Sequence, residues 1–299
     1  MKKITVLISL IVMAAIVLTA CGSQASAPKD LLAQIKSRGY IIVSTDPNYA
    51  PQSSLNTQGI RPSTTKCPSD TLTTAEMQGF DVDVAAEIGK RLGVETCFAT
   101  PSWDMITAGS WADKWDVSVG SMTITNTRAE VLTFTVPYYY YYAVIAVNKD
   151  SGINTLADLS GKALCVAAST TYEAWLTGQD FDIPAADVFV QPPANVEEVP
   201  LDTDQECAQS INAGRQDFVG YVTANTVVDA NIAAGFPVVQ LGGPIYRESL
   251  GAAVDKSSSL PIDSLVSALN TAITAMHSDG TLTSLSMKSF QIDMTQAPK

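Results

Sequence analysis

Gly120-Ser121-Met122-Thr123-Ile124-Thr125-Asn126-Thr127-Arg128 follows a strand-like run, Asp116-Val117-Ser118-Val119, and precedes Phe134-Thr135-Val136-Pro137-Tyr138. Hydroxyl residues at alternate positions with an Arg behind them can aim several donors into one cleft. Such a set suits a carboxylate, because a guanidinium offers a bidentate fork and each charge-assisted hydrogen bond contributes about 1.5 to 3 kcal/mol. The same spacing fits a plain Ser/Thr loop ending in a surface Arg, and spacing alone leaves both readings open.

Outward from this stretch, short β-rich runs alternate with amphipathic helices. Tyr40-Ile41-Ile42-Val43-Ser44 is a strand candidate, and Phe80 to Leu92 sets Val82, Ala85, Ile88 and Leu92 on one helical face behind Asp81 and Asp83 in the first turn. Ala143 to Val147 and Ala163 to Ala167 read as strands, with a helix opening near Thr170. Pro261 begins a further helix whose stripe is Ile262, Leu265, Val266, Leu269, Ile273 and Met276, with Gly280 as its stop and His277 in its last turn. Strands alternating with helices predict an α/β fold with mostly parallel sheets. Alternation along Tyr138 to Tyr142 predicts that successive tyrosines face opposite sides of a strand, some reaching a cleft and others covering a core.

The first residues carry an address. Lys2 and Lys3, an apolar run from Ile4 to Val17, and Leu18-Thr19-Ala20-Cys21 describe an export signal over residues 1–20. Leu-Thr-Ala-Cys resembles the bacterial lipobox, which makes Cys21 the expected lipidated residue and residues 21–37 a tether. The expected location is extracytoplasmic, anchored to the membrane by lipid at the cell surface or in the periplasm.

The 18 basic and 30 acidic residues give a net charge of −12. Loss of Lys2 and Lys3 with the leader takes it to −14, from 16 basic residues against 30 acidic ones. A nucleic-acid partner is excluded for want of a cationic footprint. With 46% hydrophobic residues, about 270 mature residues can bury a sizeable core, arranged as one large domain or two modest ones. Beyond the tether, residues 52 to 75 stand out as an insertion with little pattern. Cys67, Cys97, Cys165 and Cys207 form an even set in an exported chain, which favours disulfides and allows three pairings. Without a CxxC, and with His277 as the single His, no metal site is expected, and no glycine-rich phosphate loop calls for a cofactor.

An ordered series of motifs resembles the extracellular solute-binding proteins of family 3, the polar amino-acid receptors of ABC importers. It runs through Gly79-Phe80-Asp81-Val82-Asp83, Trp103-Asp104-Met105-Ile106, Met122 to Arg128, and Phe134 to Tyr138, with weaker echoes to Lys288-Ser289-Phe290-Gln291-Ile292-Asp293. The resemblance implies a two-lobed periplasmic-binding-protein-like fold of type II joined by two hinge strands. Residues 38–141 with 247–299 would form a discontinuous first lobe, and residues 142–246 the second. That division places the cysteines two to a lobe and implies the pairs Cys67 with Cys97 and Cys165 with Cys207.

The same resemblance assigns roles. Arg128 matches the carboxylate clamp, and Ser121 and Thr123 match positions that hydrogen-bond the ligand's carboxylate or amino group. Tyr49 and Trp103 match the pair that sandwiches the ligand, and Thr170 and Thr171 a second carboxylate contact at a helix start. One position departs from the pattern. Family members that bind amino acids place an Asp a few residues after Gly-Arg-x-Asp to receive the ammonium group, but after Gly214-Arg215-Gln216-Asp217 that place holds Val222 or Thr223. Either another acid, such as Asp46 or Asp204, replaces it, or the ligand is not an ordinary α-amino acid. Tyr49, Trp103 and the tyrosine run offer cation–π faces for a different cation.

The expected function is therefore capture of an amino acid or related small carboxylate-bearing solute by a monomeric, non-enzymatic receptor that delivers it to a membrane permease. The alternative is a cyclohexadienyl dehydratase-like enzyme on the same scaffold, disfavoured because its proton donor belongs near Val222 or Thr223. A sensory module, expected to precede a transmembrane segment, is the third reading.

Overall fold

A computed structural model describes residues 28–179 and 181–297. The expected leader, the lipidation site Cys21 and the tether as far as Ala27 lie outside the described residues.

The fold begins earlier than the expected tether end. Asp30 accepts a hydrogen bond from the Ala33 N–H at 2.7 Å and caps helix α1 (Leu31–Arg38), which stops at left-handed Gly39. Leu31 and Ile35 are buried in the first core, so the tether reading of residues 31–37 is corrected to a docked helix. Strand β1 (Tyr40–Ser44) follows, then short strands β2 (Asn48–Tyr49), β3 (Ser53–Leu55), β4 (Leu72–Thr73) and β5 (Met77–Gln78). The poorly patterned insertion is tied down: Arg61 donates to the carbonyls of Thr71, Cys67 and Pro68, pairs with Glu76, and Cys67 is bonded to Cys97.

Helix α2 (Phe80–Leu92) has the boundaries that its pattern predicts. Its first turn carries Asp81 and Asp83 and its last Lys90 and Arg91, both favourable to the helix dipole. Gly79 lets it start close to the insertion, because a Cβ there would lie 2.4 Å from the Gln52 carbonyl oxygen at φ +124°. Then come β6 (Glu95–Ala99), α3 (Trp103–Thr107), β7 (Val117–Thr123), α4 (Asn126–Val131) and the long strand β8 (Leu132–Asn148). The second half supplies β9 (Ala163–Ala167), α5 (Thr171–Thr177), β10 (Glu197–Leu201), α6 (Asp204–Asn212), β11 (Gly220–Ala224), α7 (Asn225–Ala233) and the long strand β12 (Val238–Asp255). Helices α8 (Asp263–Ser278) and α9 (Thr281–Phe290) close the chain, α8 starting two residues beyond the Pro261 of the sequence reading and Gly280 capping α9 instead of ending α8.

Strands β8 and β12 pair antiparallel from Leu132↔Asp255 to Asn148↔Val238 and form the spine of one sheet, ordered β10-β9-β11-β8-β12-β7-β1-β6-β4. Its wings are parallel where β7, β1 and β6 meet and where β10, β9 and β11 meet, as an α/β reading predicts. Each wing has its own core. One gathers α1, α2 and α8 through Ile35, Phe80, Ile88, Leu265 and Ile273, and the other holds Ile145, Leu164, Trp175 and Tyr246. The second disulfide joins Cys165 to Cys207 within the latter wing. This is a two-lobed α/β architecture in which only β8 and β12 cross as continuous strands.

The tyrosine run breaks the expected alternation. The β12 partner of Pro137 is Gly251 and that of Tyr139 is Leu250, so Tyr138 is left unpaired in a bulge. Tyr138 and Tyr139 consequently lie together, with ring centroids 5.1 Å apart, against Phe80 and Asp81, while Tyr141 reaches the cleft.

Candidate functional site

The two wings meet over a small cavity of about 40 Å³. Asp46, Tyr49, Trp103, Ser121, Thr123 and Arg128 line it from one lobe, Thr170, Thr171, Tyr172 and Asp204 from the other, and Tyr141 from β8. Every ligand-binding residue expected from sequence thus lies on one cavity wall, although several direct their polar atoms elsewhere.

Thr125 caps α4 by accepting from the Arg128 N–H, which turns the Arg128 side chain inward, 9% exposed. Its guanidinium donates to the carbonyls of Thr123 and Ser169, each at 3.1 Å, and sits 5.4 Å from the Trp103 ring centre. The Trp103 indole N–H also donates to Ser169, at 3.1 Å, so Ser169 of the second lobe is gripped twice by the first. Further bridges are the Thr127 N–H to Asp182 at 2.8 Å and Gln52 Nε2 to the Thr226 hydroxyl at 2.6 Å. At the cavity floor the hydroxyls of Tyr49, Tyr141 and Tyr172 form a triangle of 3.0 to 3.2 Å. The cleft is closed.

Glu248 was not foreseen. It lies on β12 fully buried, and its Oε1 accepts from the hydroxyls of Thr123 and Thr171, both at 2.5 Å. Both hydroxyls thus donate to an internal carboxylate, while the two residues still line the cavity. Burial pushes the Glu248 carboxyl up, and the Thr hydroxyls and Arg128 act against that. Burial also works against the charge of Arg128, with Glu248 as the main opposing influence. A Glu inside the strand run that leads to Leu250-Gly251-Ala252-Ala253-Val254 was the available signal, because strands disfavour Glu unless it has a task.

Ser121 follows the same pattern. It adopts φ 55°, its N–H donates to the Tyr138 hydroxyl at 2.9 Å, and its own hydroxyl donates to Asp81 at 2.6 Å and meets Tyr139. It lines the cavity while its polar atoms anchor a network below it. Burial raises the Asp81 carboxyl to about 7, against the Ser121 and Tyr138 hydrogen bonds. Thr170 is the cap of α5, accepting from the Glu173 N–H and donating to the Ala167 carbonyl at 2.6 Å, as its place at a helix start predicts.

Two acids also line the cavity. Asp204 opens α6, 5% exposed; its Oδ2 accepts from the Thr223 hydroxyl at 2.8 Å, and its Oδ1 is buried without a partner. Burial pushes its carboxyl up to about 8, Asp46 and Glu248 add to the rise, and the Thr223 hydrogen bond opposes it. Asp46, from the loop after β1, is also raised by burial while its Oδ1 accepts from the Asn48 N–H at 2.8 Å. Val222 points into the second core, whereas Thr223 faces Asp204. Among the described residues no cluster of His, Cys, Asp and Glu is arranged to hold a metal, and no helix is long and apolar enough to cross a membrane.

The chain matches the model of the bacterial extracellular solute-binding proteins, family 3, over residues 41–292. It is 27% identical to the L-cystine-binding protein TcyJ of Escherichia coli K12 over 95% of both chains, and 29% identical to the histidine-binding periplasmic protein of Salmonella typhimurium over 85% of this chain and 88% of that one. Among solved structures, a mutant of ArgBP from T. maritima superposes with a TM-score of 0.69 at 26% identity, covering 87% of this chain and 99% of that one. The ancestral amino acid-binding protein AncCDT-1, a precursor of cyclohexadienyl dehydratase, gives 0.68 at 26% identity, covering 87% and 99%.

Proposed function

This chain belongs to the bacterial extracellular solute-binding proteins, family 3, and on that premise we propose that it captures an amino acid or related carboxylate-bearing solute between its lobes and delivers it to an ABC permease. The observation that carries this reading is a single closed cavity lined by Arg128, by Asp46 and Asp204, and by Tyr49, Trp103 and Tyr141. A zwitterion has charges of opposite sign, and so has the cavity. In this reading the lobes are residues 38–141 with 247–299 and residues 142–246, with α1 added to the first. They open by bending β8 and β12 and close through the Ser169, Thr226 and Asp182 bridges. Closure presents a composite face from both lobes to the permease, while the lipid on Cys21 keeps the monomeric receptor at the membrane.

Arg128 then takes the ligand carboxylate with the donors not used on Thr123 and Ser169, and Trp103 and Tyr49 pack on the ligand body. Thermal unfolding of residues 28–299 against the common amino acids tests this. A ligand at 100 times its Kd adds about 2.7 kcal/mol to stability, and Arg128→Ala is expected to abolish the shift. No shift from any carboxylate-bearing solute would overturn the reading.

The dehydratase alternative draws on the place of Asp204, which lines the cavity with its Oδ1 unpartnered. Burial pushes its carboxyl up to about 8, which favours the protonated form that a proton donor needs. Incubation with prephenate decides between them, since release of phenylpyruvate requires the enzyme and its absence leaves the receptor.

A further inference from the structure

We propose that Asp81, which does not itself line the cavity, is a positioning residue for the ligand site: it holds Ser121 in a left-handed backbone conformation and so sets the stretch of β7 that forms the cleft wall. This rests on the receptor reading above and adds a residue to its site. Asp81 lies in the first turn of α2, within Gly79-Phe80-Asp81-Val82-Asp83, and is fully buried. Both its oxygens are used. Oδ1 accepts from the Tyr138 hydroxyl at 2.8 Å and Oδ2 from the Ser121 hydroxyl at 2.6 Å, while the Ser121 N–H donates to that same Tyr138 oxygen at 2.9 Å. The three residues close a ring, and the Tyr139 hydroxyl donates to that of Ser121. Favouring the helix dipole does not require this, because Asp83 in the same turn does so nearer the surface, paired with Lys288. A buried carboxylate is costly, and this one is spent on Ser121 and Tyr138.

Ser121 needs such support. Its φ of 55° lies in a region that a residue with a Cβ leaves unless its surroundings hold it there. The sheet does not hold it. The register of β7 on β12 passes from Ser118↔Ala253 to Met122↔Gly251, and that of β7 on β1 stops at Ser118↔Ser44, so Val119 to Ser121 have no partner in either register. Gly120, Ser121 and Thr123 nevertheless form cavity wall. Asp81 and Tyr138 therefore fix what the ladder leaves loose. If the left-handed form became a minor state, ligand affinity would fall in proportion to its population, so the effect of Asp81 is read in binding and not only in stability.

Titration calorimetry tests the assignment, with whichever of the twenty common L-amino acids stabilises the wild type most in the thermal screen above. Asp81→Asn keeps the shape but faces one of the two hydroxyls with a donor, and is expected to weaken binding about tenfold. Ser121→Ala and Ser121→Gly remove the same hydroxyl, but only glycine enters the left-handed region freely, so Ser121→Ala should bind about tenfold more weakly than Ser121→Gly. In the Ser121→Gly background, Asp81→Asn should cost less than about twofold further, since the conformation no longer has to be held. An acid needed only for packing would lower the unfolding temperature in both backgrounds and produce neither the coupling nor the difference between glycine and alanine. Unchanged affinity in Asp81→Asn, the same loss in both backgrounds, or equal affinities for Ser121→Gly and Ser121→Ala would overturn this proposal and leave the receptor reading standing. Where Asp81→Asn does not fold, the glycine and alanine variants decide alone. Failure of every amino acid to bind would remove the receptor reading itself, and this inference with it.

Discussion

The two buried carboxyls beside the cavity, Glu248 and Asp204, are held in different ways. Near Arg128 the protein has supplied its own opposing carboxylate, and Glu248 has two hydroxyl donors and a guanidinium beside it. Asp204 has one hydroxyl donor, and each of the two carboxyls keeps one buried oxygen without a partner, Oε2 of Glu248 and Oδ1 of Asp204. Glu248 ties the lobes together by accepting from Thr123 of one and Thr171 of the other, whereas Asp204 is held by Thr223 of its own lobe.

The strongest way to break the comparison is to remove Glu248. Glu248→Ala strands the buried charge of Arg128 and the hydroxyls of Thr123 and Thr171, and is expected to lower unfolding stability by about 3 to 5 kcal/mol, read by urea denaturation. Asp204→Asn is expected to cost nothing or to stabilise the apo protein, because it removes an uncompensated acid. Equal losses in the two variants would show that the two carboxyls do not differ.

Acidity sharpens the same contrast. The folded carboxyls of Asp204 and Asp81 are raised from 3.8 to about 8 and about 7. The stability they contribute is complete below about pH 4 and is lost as pH rises through those values, because the unfolded state gives up its protons first. Apo protein should therefore unfold at lower temperature at pH 8 than at pH 5.5, and Asp204→Asn should flatten part of that slope while the Asp81 share persists. A cationic ligand bound near pH 7 should expel a proton from Asp204, so the heat of binding should depend on the ionisation enthalpy of the buffer. A buffer-independent heat would mean that Asp204 carries no proton to lose.

A smaller effect is expected from the closure contacts. Gln52→Ala removes a buried hydrogen bond to Thr226 and should weaken closure by about 1 to 2 kcal/mol, visible as a larger radius of gyration in solution scattering. The smallest belongs to Arg215, whose exposed pair with Asp217 lies outside the cavity. Arg215→Ala should leave both unfolding temperature and ligand affinity unchanged.

Much of this was legible in the chain. The limits of α2 and the strand Ala163 to Ala167 followed from periodicity and caps, and the ordered motifs placed Arg128, Tyr49 and Trp103 on one cavity. The two disulfides pair as the lobe division implied. Where the reading slipped, the cause was local. Tyr138 escaped strict alternation because a bulge rotates it onto the side of Tyr139. Helix α1 was hidden in a stretch read as tether because its two apolar anchors, Leu31 and Ile35, find their partners only in the folded first lobe.

The sequence by itself determined the α/β alternation, the family and the residue types that line the cleft, since these follow from periodicity and from motifs a few residues long. It could not determine where the hydroxyls point. Ser121 turns to Asp81 across 40 residues, Thr123 to Glu248 across 125, and Thr223 to Asp204 across 19. A hydroxyl bonds the nearest acceptor it can reach without water, and which acceptor is nearest is fixed only after the strands are in register and the lobes have closed.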